Sequence, residues 1–182
     1  MTTTKWQLDP AHSELGFKIK HLMISNVSGK IQNFSLTAVT KGEDFSTATV
    51  VLTADMSSIT TNNEQRDAHL RNADFFSVEQ YPELKFEGTK LEKLDEENYT
   101  LYGNLSIRGI THPVQLQVAY NGVVKDPWGA ERAGFVVSGK IKRSQWGISF
   151  NSALETGGLM LGEEVNIQSE IELLKQDVTV PA

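Results

Sequence analysis

Cysteine is absent from the 182-residue chain, so neither disulfide bonds nor thiolate metal sites can form. Basic clusters are missing as well. The chain has 17 Lys and Arg against 23 Asp and Glu, a net charge of −6, and no Lys/Arg-rich run. Because such a chain offers no electrostatic footprint for phosphate backbones, we expect no nucleic-acid partner.

The chain also lacks a long apolar run. No stretch approaches the ~20 apolar residues that a membrane-spanning helix needs. The first residues, MTTTKWQLD, have neither the basic region nor the apolar core of a signal peptide. We therefore expect no transmembrane segment and a cytoplasmic location, or a periplasmic one if a signal peptide has been removed. The length and the 39% hydrophobic content suit a single domain, residues 1–182.

Apolar residues recur at alternate positions along most of the chain, which is the period of half-buried β-strands. Eight such runs can be followed from Leu15 to Ile171, and turn-forming residues such as those at 41–44 separate them. In the second run the apolar parity changes near Gln32 and Asn33, which predicts a β-bulge. Eight strands with short links favour a closed antiparallel barrel, because closure removes exposed sheet edges. A two-sheet sandwich is the alternative.

One segment, near residues 61–76, interrupts this alternation. Thr61 and Glu64 have the T-x-x-E spacing of a capping box, which predicts the start of a helix. Asp67 and Arg71 lie four residues apart, so we expect them to form a solvated ion pair on that helix. A short helical insertion among strands predicts a lid, a plug or a binding element.

The insertion ends in two adjacent aromatic residues, Phe75 and Phe76, which need an apolar surface beneath them. The residues alone leave open whether the barrel interior is hollow or filled. Small residues on the predicted inner face, such as Ala54, Gly103 and Gly139, suit either a cavity or a tightly coiled wall.

Several segments carry a family resemblance: RDAHLRNADFF followed by YPELKF, DPAHSELGFKIKHL, GNLSIRGITHPV, KIKRSQWGI and GEEVNI. Together, and in order over about the whole chain, they resemble the YceI-like family of bacterial proteins. The resemblance implies an all-β, eight-stranded antiparallel lipocalin-like barrel that holds a polyisoprenoid, an isoprenoid quinone or another long-chain lipid in an apolar tunnel. It implies a bound isoprenoid or fatty-chain ligand but no required cofactor. A homodimer is possible, although no dimer face can be identified.

The same resemblance, combined with the alternation, gives an expected tunnel lining. Its members are apolar residues from the predicted inner face and the lid: Phe17, Ile19, Phe34, Leu36, Val50, Leu52, Phe75, Phe76, Phe86, Leu105, Ile107, Leu116, Phe135, Val137, Ile148 and Ile167. A polar head group would need partners, because an unpaired buried polar group costs a few kcal/mol. The candidates are His21, Arg66, His69 and Arg71.

We predict no catalytic and no metal-ligating residues. The 4 His are scattered without H-x-H or H-E-x-x-H spacing. Asp9, His12 and Ser13 crowd around a proline, where turn capping suits them better than a hydrolytic triad. The predicted function is non-catalytic binding, transport or storage of a polyisoprenoid or other long-chain amphiphile. Two alternatives stay open: an enzyme acting on a lipid-like or quinone-like substrate in the same cavity, and a filled barrel serving as a protein interaction module.

Overall fold

The computed structural model describes residues 2–152, 154 and 160–176, in which eleven β-strands and one α-helix form. The strands are β1 (Thr3–Leu8), β2 (Glu14–His21), β3 (Ser25–Ile31), β4 (Phe34–Lys41), β5 (Asp44–Asp55), β6 (Ile59–Thr60), β7 (Glu83–Lys93), β8 (Asn98–Ile107), β9 (Ile110–Lys125), β10 (Glu131–Lys142) and β11 (Leu161–Lys175). The helix α1 spans Glu64–Arg71. None of the helical structure in these residues is long and apolar enough to cross a bilayer.

Eight of the strands close into a ring in the order β1, β4, β5, β7, β8, β9, β10 and β11. The ring closes where β11 pairs with β1, with Trp6 opposite Lys175. The remaining strands continue the wall: β2 pairs with β11, β3 with β2, and β6 with β3, all antiparallel. The predicted eight-stranded antiparallel barrel is therefore confirmed, and a single closed sheet excludes the two-sheet sandwich.

There are eleven strands and not eight because three strands of the barrel are each broken in two. The breaks fall between β1 and β2, between β3 and β4, and between β5 and β6. The parity change predicted near Gln32 and Asn33 occurs at the second break, since Ile31 and Phe34 on either side both pack against the core. It is a gap between two strands and not a bulge within one. Each break lets the chain bend along the curved barrel wall.

The start of α1 differs from the prediction. The N-cap is Asn63, whose side chain accepts a hydrogen bond of 3.0 Å from a backbone N–H of the first turn. The Thr61–Glu64 capping box is therefore wrong. The Asp67–Arg71 ion pair is wrong too, because Arg71 donates to Glu64 at 3.0 Å and Asp67 accepts from the backbone N–H of Thr61 at 2.8 Å.

One end of the barrel is filled by five aromatic rings, here named the aromatic plug: Trp6, Phe45, Tyr99, Tyr120 and Phe135. The ring of Phe45 lies 4.9 Å from that of Trp6 and 5.0 Å from that of Phe135, between ring centres. Trp6 is fully buried and donates its indole N–H to a buried threonine hydroxyl at 3.1 Å. Because each of these side chains stands on a strand of the sheet, the plug is part of the barrel core.

Candidate ligand-binding site

The barrel interior contains a cavity of about 320 Å³. This volume lies near the lower end of the ~300–1,000 Å³ typical of small-molecule sites. Every strand except β1 contributes to its wall, as do α1 and the residues after it. The interior is therefore hollow, which argues against the alternative of a filled barrel that serves as a protein interaction module.

Most of the predicted lining residues lie on this wall: Phe17, Ile19, Leu36, Val50, Leu52, Phe75, Phe76, Phe86, Leu105, Ile107, Leu116, Val137, Ile148 and Ile167. Two do not. Phe34 is half-buried and packs against the core away from the cavity, and Phe135 belongs to the aromatic plug. Alternation assigns a side chain to the inner face of a strand, but it does not say how far along the barrel axis that side chain lies.

Two glycines of the inner face accommodate neighbouring side chains and do not open space for a ligand. A Cβ atom added to Gly103 would lie 2.4 Å from the ring of Phe86, and one added to Gly139 would lie 2.6 Å from the side chain of Leu116. Glycine at these positions lets large wall residues lie flat against the sheet. The cavity therefore depends on how the large side chains are arranged.

A lid, defined as residues 61–76, covers the end of the cavity opposite the plug, here named the mouth. Its inward side chains are Thr61, Arg66, His69, Leu70, Phe75 and Phe76. Asp67 anchors it to β6: this carboxylate is 4% exposed and accepts from the hydroxyl of Thr60, the last residue of β6, at 3.3 Å. Within the lid it also accepts from the backbone N–H of Thr61 at 2.8 Å and from the Thr61 hydroxyl at 2.5 Å. Burial alone would raise the pKa of Asp67, but the hydrogen bonds from Thr61 and Thr60 outweigh it and hold the pKa below its usual value.

Arg108 fastens the lid from the outside. Its Nη2 donates to the carbonyl oxygen of Ala73 at 3.0 Å, and its Nη1 donates to the carbonyl oxygen of Gly147 at 2.7 Å. Gly147 follows a short 3₁₀ turn, Arg143–Trp146, at the end of β10. One guanidinium therefore joins the lid to the turn beside it at the mouth.

Three of the four predicted head-group residues, His21, Arg66 and His69, lie on the cavity wall. Arg71 does not: its guanidinium forms an ion pair of 3.0 Å with Glu64, a side chain that is 86% exposed. Helical geometry explains the difference, because positions five residues apart on a helix face different directions. Arg71 is therefore removed from the candidate site.

The two basic lid residues that line the cavity, Arg66 and His69, already have partners. Arg66 donates from Nε to the Thr61 hydroxyl and from Nη2 to the Thr61 carbonyl oxygen, both at 2.7 Å. These bonds use only two of the five N–H donors of a guanidinium. His69 places Nε2 2.8 Å from the carboxylate of Asp74. These hydrogen bonds orient both side chains, and both still line the cavity, where they can contact a ligand.

Arg143 is a cavity residue that the sequence reasoning missed. It is 4% exposed and donates from Nε to the carbonyl oxygen of Gly162 and from Nη1 to that of Ile148, both at 3.0 Å. Burial lowers the pKa of Arg143, and the nearby charge of Glu163 opposes that shift only in part. A buried guanidinium held by neutral carbonyl groups attracts an acceptor or an anion. Its position continues the inward parity of β10, a signal that could have revealed it.

Ser169 is the second missed residue. Its hydroxyl is the only buried side-chain polar atom without a hydrogen-bond partner in the described part of the chain. Ser169 is 3% exposed, lies on the cavity wall and pairs with Val137. The next inward pair along these strands joins Ile171 to Phe135 of the plug. An unpaired buried hydroxyl costs ~1–3 kcal/mol, so a ligand group that satisfies it would be stabilised. Its alternate spacing with the apolar residues of β11 could have indicated an inward hydroxyl.

A polar cluster lies outside the cavity, near the plug. Asp9, His12 and Glu172 are the one group in residues 2–152, 154 and 160–176 spaced for a metal ion, with ligand atoms within 4.8 Å of one another. Arg132 already donates to Asp9 at 2.5 Å and to Asp126 at 2.9 Å. Asp9 also caps a 3₁₀ turn, as predicted, by accepting a backbone N–H at 3.1 Å. We therefore interpret the cluster as an ion-pair network.

A closed antiparallel barrel with an apolar cavity and a helical lid defines the chain as a lipocalin-like barrel protein. The YceI-like domain matches residues 6–173. The chain therefore belongs to the YceI-like family, as its sequence segments indicated.

Relatives cover almost the whole chain. A UPF0312 protein of Staphylococcus aureus is 42% identical over 170 residues, which are 93% of this chain and 96% of that protein. The crystal structure of the Campylobacter jejuni YCEI protein is similar with a TM-score of 0.77 at 35% identity, over 93% of this chain and 97% of that one. A polyisoprenoid binding domain from Saccharophagus degradans has a TM-score of 0.69 at 12% identity, over 92% and 97%. At that identity the likeness shows the fold alone.

Proposed function

We propose that this protein binds a polyisoprenoid or other long-chain amphiphilic lipid in the barrel cavity, for transport or storage, and catalyses no reaction. The observation that carries the proposal is the cavity of about 320 Å³, whose wall is almost wholly aliphatic and aromatic. Burial of a hydrocarbon chain contributes ~0.8 kcal/mol per CH₂, so a few isoprene units can offset the cost of association. Polyisoprenoid binding by a Saccharophagus degradans domain of the same fold supports this use of the barrel.

The polar residues of the wall suggest how the ligand is oriented. His21, Arg66, His69 and Arg143 are the basic residues of the described wall, and they belong to the mouth end. We infer that an acceptor-rich head group, such as the carbonyl oxygens of an isoprenoid quinone or a fatty amide, lies among them. The tail then extends toward the aromatic plug, where Ser169 offers a single hydroxyl.

The Ser169 hydroxyl favours an unsaturated tail. An isoprenoid double bond presents a π face that can accept a weak hydrogen bond, whereas a saturated chain offers no acceptor. The hydroxyl would therefore be better satisfied by an isoprenoid than by a saturated fatty chain of the same length. This preference is expected to be modest, because the burial of the rest of the tail dominates the affinity.

The composition of the wall supports a binding role over catalysis. Among the described residues the wall has no Asp, Glu, Lys or Cys. General acid–base or nucleophilic chemistry needs a positioned base or nucleophile with an orienting partner. Ser169 has no such partner, and the nearest carboxylate to His69, that of Asp74, is about half exposed.

Native mass spectrometry of protein purified under mild conditions tests the proposal. We expect a mass increment that organic extraction releases as a long-chain lipid, and we expect the delipidated protein to take up an isoprenoid quinone. Leu52→Asp places a charge on the cavity wall and should abolish uptake. Val51→Asp is the matched control, because Val51 lies next to it on the outer face of β5 and is 40% exposed.

Three outcomes would count against the proposal. Ligand-free protein that takes up neither the quinone nor a fatty amide would overturn it. Equal uptake by the Leu52→Asp and Val51→Asp variants would place the ligand outside the cavity. Chemical turnover of the extracted lipid, lost when His21 is changed to Ala, would favour an enzyme.

A further inference from the structure

The turn between β2 and β3 consists of three consecutive apolar residues, Leu22, Met23 and Ile24, here named the tip. Their exposed fractions are 37%, 58% and 85%. Leu22 and Met23 also have positive φ angles of 55° and 63°. Glycine, asparagine and aspartate adopt this backbone conformation at lower cost than branched or bulky residues. The tip therefore carries apolar side chains at positions where solvent exposure favours polar residues and a positive φ angle favours small ones.

The tip stands on the rim of the mouth. The backbone N–H of Leu22 donates to the carbonyl oxygen of Met160 at 2.8 Å, and Met160 lies on the cavity wall. His21, which directly precedes the tip, pairs with Leu161, and both of these side chains line the cavity as well. A surface that binds the tip is thus brought directly against the opening.

The hairpin that carries the tip is basic, although the whole chain has a net charge of −6. The hairpin, residues 14–31, contains Lys18, Lys20 and Lys30, and its one acidic residue, Glu14, lies at the end of β2 away from the tip. All three lysines are exposed on the outer face of β2 and β3. An apolar projection flanked by cations is complementary to an anionic lipid surface, whose phosphates attract lysine while its acyl region accepts apolar side chains.

The opposite end of the barrel offers a comparison. Trp128, in the turn between β9 and β10, is 86% exposed. Its own turn carries no net cluster of cations: Lys125 precedes Asp126, and that carboxylate is ion-paired with Arg132. Residues 95–97, DEE, form the acidic turn between β7 and β8 at the same end. This tryptophan also lies at the plugged end of the barrel, away from the mouth. At the plugged end, the exposed tryptophan is therefore not part of an apolar run, is not flanked by several lysines and does not border the mouth.

We propose that the tip inserts into the interfacial region of an anionic lipid bilayer and holds the mouth against it. Lys18 and Lys20, the lysines of β2 nearer the tip, contact lipid phosphates, and the apolar side chains of the tip enter the boundary between head groups and acyl chains. Docking of the tip on a bilayer does not depend on the proposed binding of a lipid in the cavity. A role of the tip in passing a lipid between bilayer and cavity does rest on that proposed function.

Vesicle flotation with the full chain tests the docking. The probes are vesicles of equal parts phosphatidylcholine and phosphatidylglycerol, and vesicles of phosphatidylcholine alone. The test variant is Leu22→Asn, Met23→Gly and Ile24→Ser together, whose first two changes suit positive φ and so preserve the turn. The control is Trp128→Ser. We expect binding of the wild-type protein to anionic vesicles, weakened by added salt, and a loss of about tenfold or more for the tip variant.

A second measurement reports on the tip directly. Because the chain has no cysteine, Ile24→Cys introduces a single thiol for a polarity-sensitive dye. We expect its emission to shift to the blue when anionic vesicles are added. Uptake of isoprenoid quinone from a water-miscible solvent should be unchanged in the tip variant, which separates a failure of docking from a failure of the proposed lipid binding.

Several results would overturn the docking proposal. These are wild-type protein that does not float with anionic vesicles, equal binding to neutral vesicles, and a loss of binding in Trp128→Ser but not in the tip variant. Sedimentation of the wild-type protein as a dimer and of the tip variant as a monomer would instead assign the tip to a contact between two copies of the chain.

Discussion

The two ends of the barrel are closed in different ways. At the plug, aromatic rings on strands of the closed sheet pack with ring centres about 5 Å apart, and the largest of them, Trp6, is fully buried. At the mouth, a helix and loops lie across the opening, held to β6 by the Asp67 carboxylate, which accepts from Thr60, and to the turn after β10 by Arg108. Apolar packing within a sheet opens only when the sheet unfolds, whereas a few polar anchors can open locally. The plug therefore belongs to the stable core, and we expect the lid to be the element that opens locally and admits the proposed ligand.

The strongest test of this contrast compares one phenylalanine from each end. Phe45→Ala removes the central ring of the plug, and we expect a loss of ~3–5 kcal/mol in the free energy of unfolding, as for other buried Phe→Ala changes. Phe76→Ala removes a half-buried ring of the lid and should cost less, while speeding release of bound lipid. Urea unfolding and ligand-exchange rates measure the two effects. Equal destabilisation by both variants would contradict the assignment of the plug to the core.

The next largest effect is expected at Asp67. Asp67→Asn removes the charge that Thr60 and Thr61 stabilise, and we expect a loss of ~1–3 kcal/mol in stability near neutral pH, because buried donors lose a charged acceptor. Thermal unfolding and hydrogen exchange of residues 61–76 check it. A variant as stable as the wild type, with unchanged protection of the lid, would contradict the anchoring role.

The same carboxylate predicts a pH dependence. The folded-state pKa of Asp67 lies below the unfolded value, which is ~3.9. Its contribution to stability is therefore fully present above that unfolded value and is lost as the pH falls through the folded pKa. We expect the stability difference between wild type and Asp67→Asn to shrink below about pH 4. A difference that stays constant from neutral pH into this acidic range would show that the carboxylate charge does not matter.

A smaller effect is expected at Arg108. Arg108→Gln removes the bridge between Ala73 and Gly147, whose two hydrogen bonds are exposed and so contribute ~1 kcal/mol or less to stability. We expect ligand release to be a few-fold faster, with little change in melting temperature. Arg71→Gln is the control, since Arg71 lies on the lid without touching the cavity or the turn after β10. Identical ligand-release rates in the Arg108→Gln and Arg71→Gln variants would show that the Arg108 bridge does not hold the lid closed.

The smallest effect concerns the bottom of the cavity. Ser169→Ala removes an unpaired hydroxyl, so the free protein should be as stable as the wild type or slightly more stable. We expect its preference for an isoprenoid tail over a saturated tail of equal length to fall by a small factor. Competition binding with the two ligands measures the ratio. An unchanged ratio would mean that the hydroxyl does not contact the tail.

Much of this architecture could be predicted from the chain. The period of two in runs such as the one ending at Ile107 predicted strands and their inner faces, and most of the expected lining residues do lie on the cavity wall. The errors have two causes. Phe135 has the right parity but the wrong depth, because alternation carries no information about position along the barrel axis. Arg143 and Ser169 also obey the inward parity, and they were missed because a polar residue on an apolar face is not expected.

The lid shows the other limit of local reasoning. A capping box and an ion pair at four-residue spacing are local patterns that predict Thr61–Glu64 and Asp67–Arg71 contacts. Asn63 is an equally good cap, and its side chain takes that place. Asp67 is directed to Thr61 because the lid packs onto the barrel and buries the carboxylate, which must then find donors.

Side-chain periods of adjacent residues are enough to predict an antiparallel β fold, the inner and outer face of most strands and the place of the helical insertion, and the family resemblance adds the lipocalin-like barrel. Three further features appear only in the folded chain: aromatic side chains fill one end, Arg143 and Ser169 face a hollow centre, and Arg108 joins the lid to the turn after β10. Those features depend on contacts between residues far apart in the chain. Which distant side chains meet is set by closure of the sheet, with β11 returning to β1.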